Sequence, residues 1–235
     1  MSLNPLQTLF WYGEMVFSYL WEMIPCMTAA VVLYLAVLPV RKARLQALGL
    51  HSSGVREVAL LVFLMFSAGL AALTLFPADF WGYIMDWLTN PLVRLEGFDL
   101  HGFYPGLAAA FEETDYRNLF TPFQEILRGL RGGPWVFFML LGNIGMFLPI
   151  GFFPALLWHR PRWWKTVLMG FAASFTIEFV QFFIGRSTDV DDLILNTTGA
   201  LLGYLLSRLF VHLTPDWAEL FHCQEGKDVL HGLFE

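Results

Sequence analysis

GGPWVFFMLLGNIGMFLPIGFFPALLWH, residues 132–159, contains no Asp, Glu, Lys or Arg. A helix rises about 1.5 Å per residue, so this run is longer than the roughly 20 apolar residues needed to cross a bilayer. Two more blocks lie upstream, because residues 23–40 and 58–78 are also free of charge. Downstream, 164–184 is interrupted by Glu178, and 190–213 opens on acids and contains Arg208. These five blocks predict an all-α fold, a polytopic membrane helical bundle of about five transmembrane helices with one long extracytoplasmic loop.

Composition supports that class. Of the 235 residues, 57% are apolar, 17% aromatic and only 14% charged, against roughly 25% charged in soluble domains. A soluble fold has nowhere to bury so much apolar surface. Residues 9–22 are aromatic and carry Glu14 and Glu22, which suits an interfacial helix leading into the first span. No cleavable leader is expected, since the first 23 residues lack Lys and Arg. Cys26 and Cys223 have no metal-ligand spacing and no evident disulfide partner. The chain divides into residues 1–57 (aromatic segment, first span and basic loop), a membrane domain at 58–213, and a tail at 214–235.

Orientation follows the placement of cations near the spans. Arg41, Lys42, Arg44 and Arg56 follow span 1, and Arg160, Arg162 and Lys165 follow span 3. Both turns are expected in the cytoplasm. That places the N-terminus outside, the C-terminus cytoplasmic, and the acidic 79–134 segment and the GRSTDVDD turn on the outer side of the membrane.

Counting helical rise from that side puts Asn143, Glu178 and Asn196 roughly 9 to 12 Å deep. A carboxyl group at that depth costs about 2.5 kcal/mol or more unless it is paired or faces water. Asn143 and Asn196 are the expected partners of Glu178. Either Glu178 is protonated and ties helices together, or the three line a polar cavity. Gln181 shares the face of Glu178. Asp189, Asp192, Asn196, Gly199 and Gly203 form one stripe of the fifth span, whose glycine pair suits close helix packing. Thr188 and Asp191 have capping-box spacing. Pro149 introduces a kink that either shapes the site or has no functional consequence. The FQEILRGL stretch beginning at Phe123 is amphipathic and suits a helix lying on the membrane or covering the site.

The ordered motifs NxxxFxPxG (Asn143 to Gly151), ExxQ (Glu178 to Gln181) and RxxDxxDxxxNxxGxxxG (Arg186 to Gly203) resemble the VanZ-like family. RNLFTPF, from Arg117 to Phe123, is similar to that family's Asn-Leu-x-Pro-Phe loop, with Thr121 inserted before Pro122. The resemblance spans about residues 58–210. It implies a role at the bacterial cell envelope linked to teicoplanin susceptibility and names no reaction. The matching positions are Asn118, Asn143, Glu178, Gln181, Arg186, Asp189, Asp192 and Asn196.

Two functions fit. The first is binding of a lipid-linked cell-wall precursor, a glycolipid or a lipoglycopeptide antibiotic at the outer leaflet. Arg117 and Arg186 would contact an anionic group, and Asn143, Gln181 and Asn196 would bond sugar or amide groups. The second is an intramembrane enzyme on a phosphate-containing or glycosyl lipid, with Glu178 as acid or base and Asp189 and Asp192 holding Mg²⁺ or Ca²⁺. No His or Cys stands near these acids for zinc, and no serine–histidine pair is placed for a hydrolase triad. No cofactor and no nucleic-acid partner is expected. Paired halves or broken-helix repeats, the marks of a transporter, are not evident.

Overall fold

The computed structural model of the protein describes residues 5–77, 80–97, 121–184 and 189–225. Five helices are long and apolar enough to cross a membrane: α1 (Pro5–Ala47), α2 (Gly54–Leu75), α6 (Pro134–Leu157), α7 (Trp163–Phe183) and α8 (Val190–Leu213). Between α2 and α6 lie α3 (Phe80–Thr89), α4 (Pro91–Glu96) and α5 (Gln124–Arg131). After α8 comes α9 (Pro215–Glu219), and strands β1 (Leu50–Ser52) and β2 (Cys223–Glu225) pair antiparallel, Leu50 opposite Glu225. The fold is an all-α membrane bundle with this one short ribbon among the described residues.

Its surface is what lipid requires. Phe171, Phe175 and Phe179 follow one another at i, i+4 along α7, are exposed, and stack at centroid distances of 6.3 and 6.4 Å. Leu202, Leu205, Leu206 and Leu209, on α8, are exposed as well. Trp158, Trp163 and Trp164 stand exposed at the turn between α6 and α7, and Phe76, Phe80 and Trp81 cluster at the opposite end of α2. Aromatic rings at both ends of an apolar belt mark the two interfaces of a bilayer.

The heart of the bundle is the parallel pair α6 and α8, with α7 against α8. Gly151 faces the Ala200 carbonyl, Gly199 faces that of Ile144 and Gly203 that of Leu148, each so closely that a Cβ would overlap the oxygen. The small-xxx-small pair is therefore a packing device as its spacing predicts, and Gly151 is its counterpart on α6. Small side chains substitute for the hydrophobic effect here, because apolar helices gain nothing by hiding from lipid and must gain from close van der Waals contact. Phe147, buried, fills the seam with Leu70, Ile150 and Ile177.

One expectation needs correction. Residues 9–22 do not form a separate interfacial helix but are the first part of α1, an unbroken helix of 43 residues. At 1.5 Å per residue it is about 65 Å long, twice the hydrocarbon core of a bilayer. Between Glu22 and Pro25 there is no turn sequence, and an internal proline such as Pro25 or Pro39 removes a single backbone bond, which a membrane helix tolerates. The C-terminal tail supplies both α9 and β2. It is held at the basic end by Ser53, whose hydroxyl donates to the Leu220 carbonyl, and by His222, whose ring meets His159 at 5.4 Å.

The same end pins α1 to α2. Tyr34 on α1 donates to the Glu57 Oε2 at 2.5 Å, and Arg41 forms an ion pair with the same carboxylate. Glu57 is buried and Arg41 half-buried, so the pair is shielded from water and from the lipid chains alike.

Candidate functional site

The opposite end of the bundle is acidic. α8 begins with Asp189 as its N-cap: the backbone is extended there, and the side chain accepts from the Asp192 amide at 2.8 Å. This satisfies one of the amides that any helix start leaves unpaired. The cap expected from Thr188 and Asp191 is thus displaced by one residue, because Asp191 is engaged elsewhere. Thr188 itself lies outside the described residues.

Three acids at the start of α8 reach three different helices. The Asp189 amide donates to Glu178 Oε2 on α7 at 3.3 Å. The Asp192 carboxylate accepts from Asn143 Nδ2 on α6. Asp191 is 2% exposed and accepts from the Phe123 and Ile126 amides at 2.5 and 3.0 Å, at the start of α5. Asn143, Glu178, Asp189 and Asp192 are each half-buried, so part of every one of these polar side chains faces out of the protein. Gln181, one helical turn above Glu178, is buried. Burial pushes the Asp189 carboxyl above its ordinary range, opposed by the Asp192 amide.

Asn196 does not belong to this group. Its amide donates to Ser174 on α7 at 3.0 Å, both side chains being buried. The expectation that Asn143 and Asn196 both partner Glu178 is corrected accordingly. Equal depth along three helices does not fix which side chains meet, because the rotation of each helix about its axis decides that. Here the stripe Thr166, Gly170, Ser174, Ile177 and Gln181 turns inward on α7, which brings Ser174 rather than Glu178 opposite Asn196.

Arg117, Asn118 and Arg186 lie outside the described residues. Among the described residues, no three of His, Cys, Asp and Glu are grouped so as to hold a metal ion. Of the two acids expected to hold a cation, Asp189 caps α8 through the Asp192 amide, and the Asp192 carboxylate accepts from Asn143. Two residues were missed in the sequence. Ser174 resembles any small residue of a membrane helix. Asp191 was read as a local cap, although FQEI at the start of α5 offers no capping side chain of its own and so calls for one from elsewhere.

The fold and the site define a polytopic helical membrane protein with a polar, acid-rich group inside one end of its bundle. The chain belongs to the VanZ/LLP1 family, which it matches over residues 27–211. That match takes in much of α1, beyond the span of the motifs, in keeping with the Tyr34–Glu57–Arg41 contacts that join α1 to α2. Comparison with curated proteins and with solved structures finds no match.

Proposed function

We propose that this is an envelope protein of the bacterial inner membrane that binds the headgroup of an amphiphile at the outer leaflet. The class of ligand is a lipid-linked cell-wall precursor, a glycolipid or a lipoglycopeptide, and the expected phenotype is altered teicoplanin susceptibility. The observation that carries this reading is the half-buried group of Asn143, Glu178, Asp189 and Asp192, drawn from three helices at one end of a lipid-facing bundle. Polar side chains at that level are costly unless they have a partner, and these four keep an open side. Three of them are carboxyl groups, so they favour a ligand rich in donors, such as sugar hydroxyls or an amine. Arg117 and Arg186 remain the candidates for an anionic group on the same ligand.

Orientation follows the cations. Arg41, Lys42, Arg44, Arg160, Arg162 and Lys165 all stand at the end away from the site, which the positive-inside rule assigns to the cytoplasm. The acidic end then opens to the outer leaflet, with the N-terminus outside and the C-terminus inside.

A second reading, acid–base catalysis on a phosphate-containing or glycosyl lipid, draws on one observation: the Asp189 amide donates to Glu178 Oε2, which sets Glu178 beside the acids that open α8.

The test compares Glu178→Gln, Arg186→Ala and Asp192→Asn in a deletion host at equal membrane levels. Teicoplanin susceptibility and extracted envelope lipids are measured together, with binding of a lipid-linked precursor to the purified protein. Binding predicts loss of affinity in all three variants with an unchanged lipid profile. Catalysis predicts that Glu178→Gln keeps binding while one lipid accumulates. Wild-type behaviour of all three refutes both readings.

A further inference from the structure

A helix start leaves the N-cap and N3 amides among its unpaired donors, and a capping box satisfies both from within the same segment. In α5 the N-cap is Phe123 and N3 is Ile126, neither of which can accept a bond through its side chain. Phe123 is moreover the described non-glycine residue with a positive φ, at 65°. The two amides are instead taken by the two carboxylate oxygens of Asp191, Oδ1 by Phe123 and Oδ2 by Ile126. One buried side chain of a transmembrane helix thus does the work of both halves of a capping box for a helix 65 residues away in sequence.

We infer that Asp191 is a positioning residue that latches α5 onto the acidic end of the bundle. Gly129 also packs on Leu140 of α6, while Leu127 and Leu130 are at least half exposed. Bonds from amides to a buried carboxylate are charge-assisted and stronger than neutral ones, so the carboxylate rather than apolar packing sets whether α5 is seated. Asp189 and Asp192 flank the latch, which ties the seat of α5 to the same four-residue stretch that engages Glu178 and Asn143. Control of access to the site by α5 rests on the proposed binding function; the latch itself does not.

Trypsin cleavage after Arg128 tests it, in full-length protein in detergent and without any ligand. A seated α5 resists cutting there, because Gly129 is buried against Leu140, and local opening exposes the bond. Asp191→Ala is expected to speed cleavage at Arg128 by about tenfold. Asp191→Asn, which keeps one acceptor and turns a donor towards the other amide, falls between that and wild type. Cleavage at Arg94 on α4 stays unchanged, and Ser174→Ala leaves both rates alone. Unchanged cutting at Arg128 in both Asp191 variants would overturn the latch, as would equal acceleration at Arg94, which signals general loosening. Loss of ligand binding with the trypsin pattern intact counts against the proposed function and leaves the latch standing.

Discussion

Asn143, in the middle of α6, donates its amide to the carboxylate of Asp192 in the first turn of α8, so the closest helix pair of the bundle is fastened at its acidic end by one polar bond. Elsewhere along that seam glycines pack on backbone carbonyls and Phe152 meets Phe210. Replacing Asn143 by Ala leaves a half-buried carboxylate short of a partner. The expected cost is about 1 kcal/mol, the usual range for interhelical bonds in membranes. A double-mutant cycle with Asp192→Asn, read by SDS titration in mixed micelles, should return a coupling of that order. A coupling near zero would show that the bond contributes only to the site.

Gly151 and Gly145 lie on the same helix but in opposite surroundings. A Cβ at Gly151 runs into the Ala200 carbonyl, whereas one at Gly145 meets nothing within 4 Å. Gly151→Ala should therefore destabilise the bundle by about 2 kcal/mol, the scale of overpacking a tight core. Gly145→Ala should be neutral or slightly stabilising, within about 0.5 kcal/mol. Thermal unfolding of the two purified variants side by side makes the comparison.

Asp189 is a helix cap with a carboxyl held above its ordinary range by burial. The sign follows directly: a raised folded value means that the charged form is disfavoured, so its stabilising contribution is complete below the unfolded value and is lost as pH rises through the folded one. Asn caps as well as Asp and does not ionise. Asp189→Asn should then match or exceed wild-type stability at pH 8, while Asp189→Ala loses about 1 kcal/mol with the cap. Urea or SDS unfolding of both variants at pH 5 and pH 8 decides it.

At the basic end, burial and the neighbouring His159 hold His222 below the ordinary histidine value against a hydrogen bond with the Leu156 backbone, with Arg56 adding to the lowering and Glu219 opposing it. Here the charged form appears only as the pH falls. The docking of the tail is complete above the ordinary histidine range and is lost as pH drops through the lowered folded value. Cys223, in β2, reports this. Its reactivity towards a maleimide, normalised to a free thiol at each pH, should rise as the pH falls below the ordinary histidine range. His222→Gln should flatten the profile.

Arg41 and Tyr34 share the buried carboxylate of Glu57. Removing Arg41 strands that charge, which in a fully buried pair costs 3 to 5 kcal/mol. Arg41 is half-buried, so about 2 kcal/mol is expected here once solvent screening is allowed for. Glu57→Gln combined with Arg41→Ala should recover part of the loss in the same unfolding assay.

Much of this protein was legible along the chain because lipid imposes a simple rule. Every span must be apolar for its full length, so charge-free blocks such as 132–159 mark helices, cations mark the loops between them, and a carboxyl such as Glu178 inside a span marks a place where something polar must be met. Close packing without a hydrophobic drive calls for small residues, so Gly199 and Gly203 could be assigned to the seam from spacing alone. Pairing is another matter. Depth is a one-dimensional quantity that sequence supplies, but the rotation of each helix is set by the shapes packed against it. Only the tertiary structure decided that Asn196 turns to Ser174, that Asn143 turns to Asp192, that Asp191 caps a distant helix, and that the tail returns to pair with Leu50–Ser52.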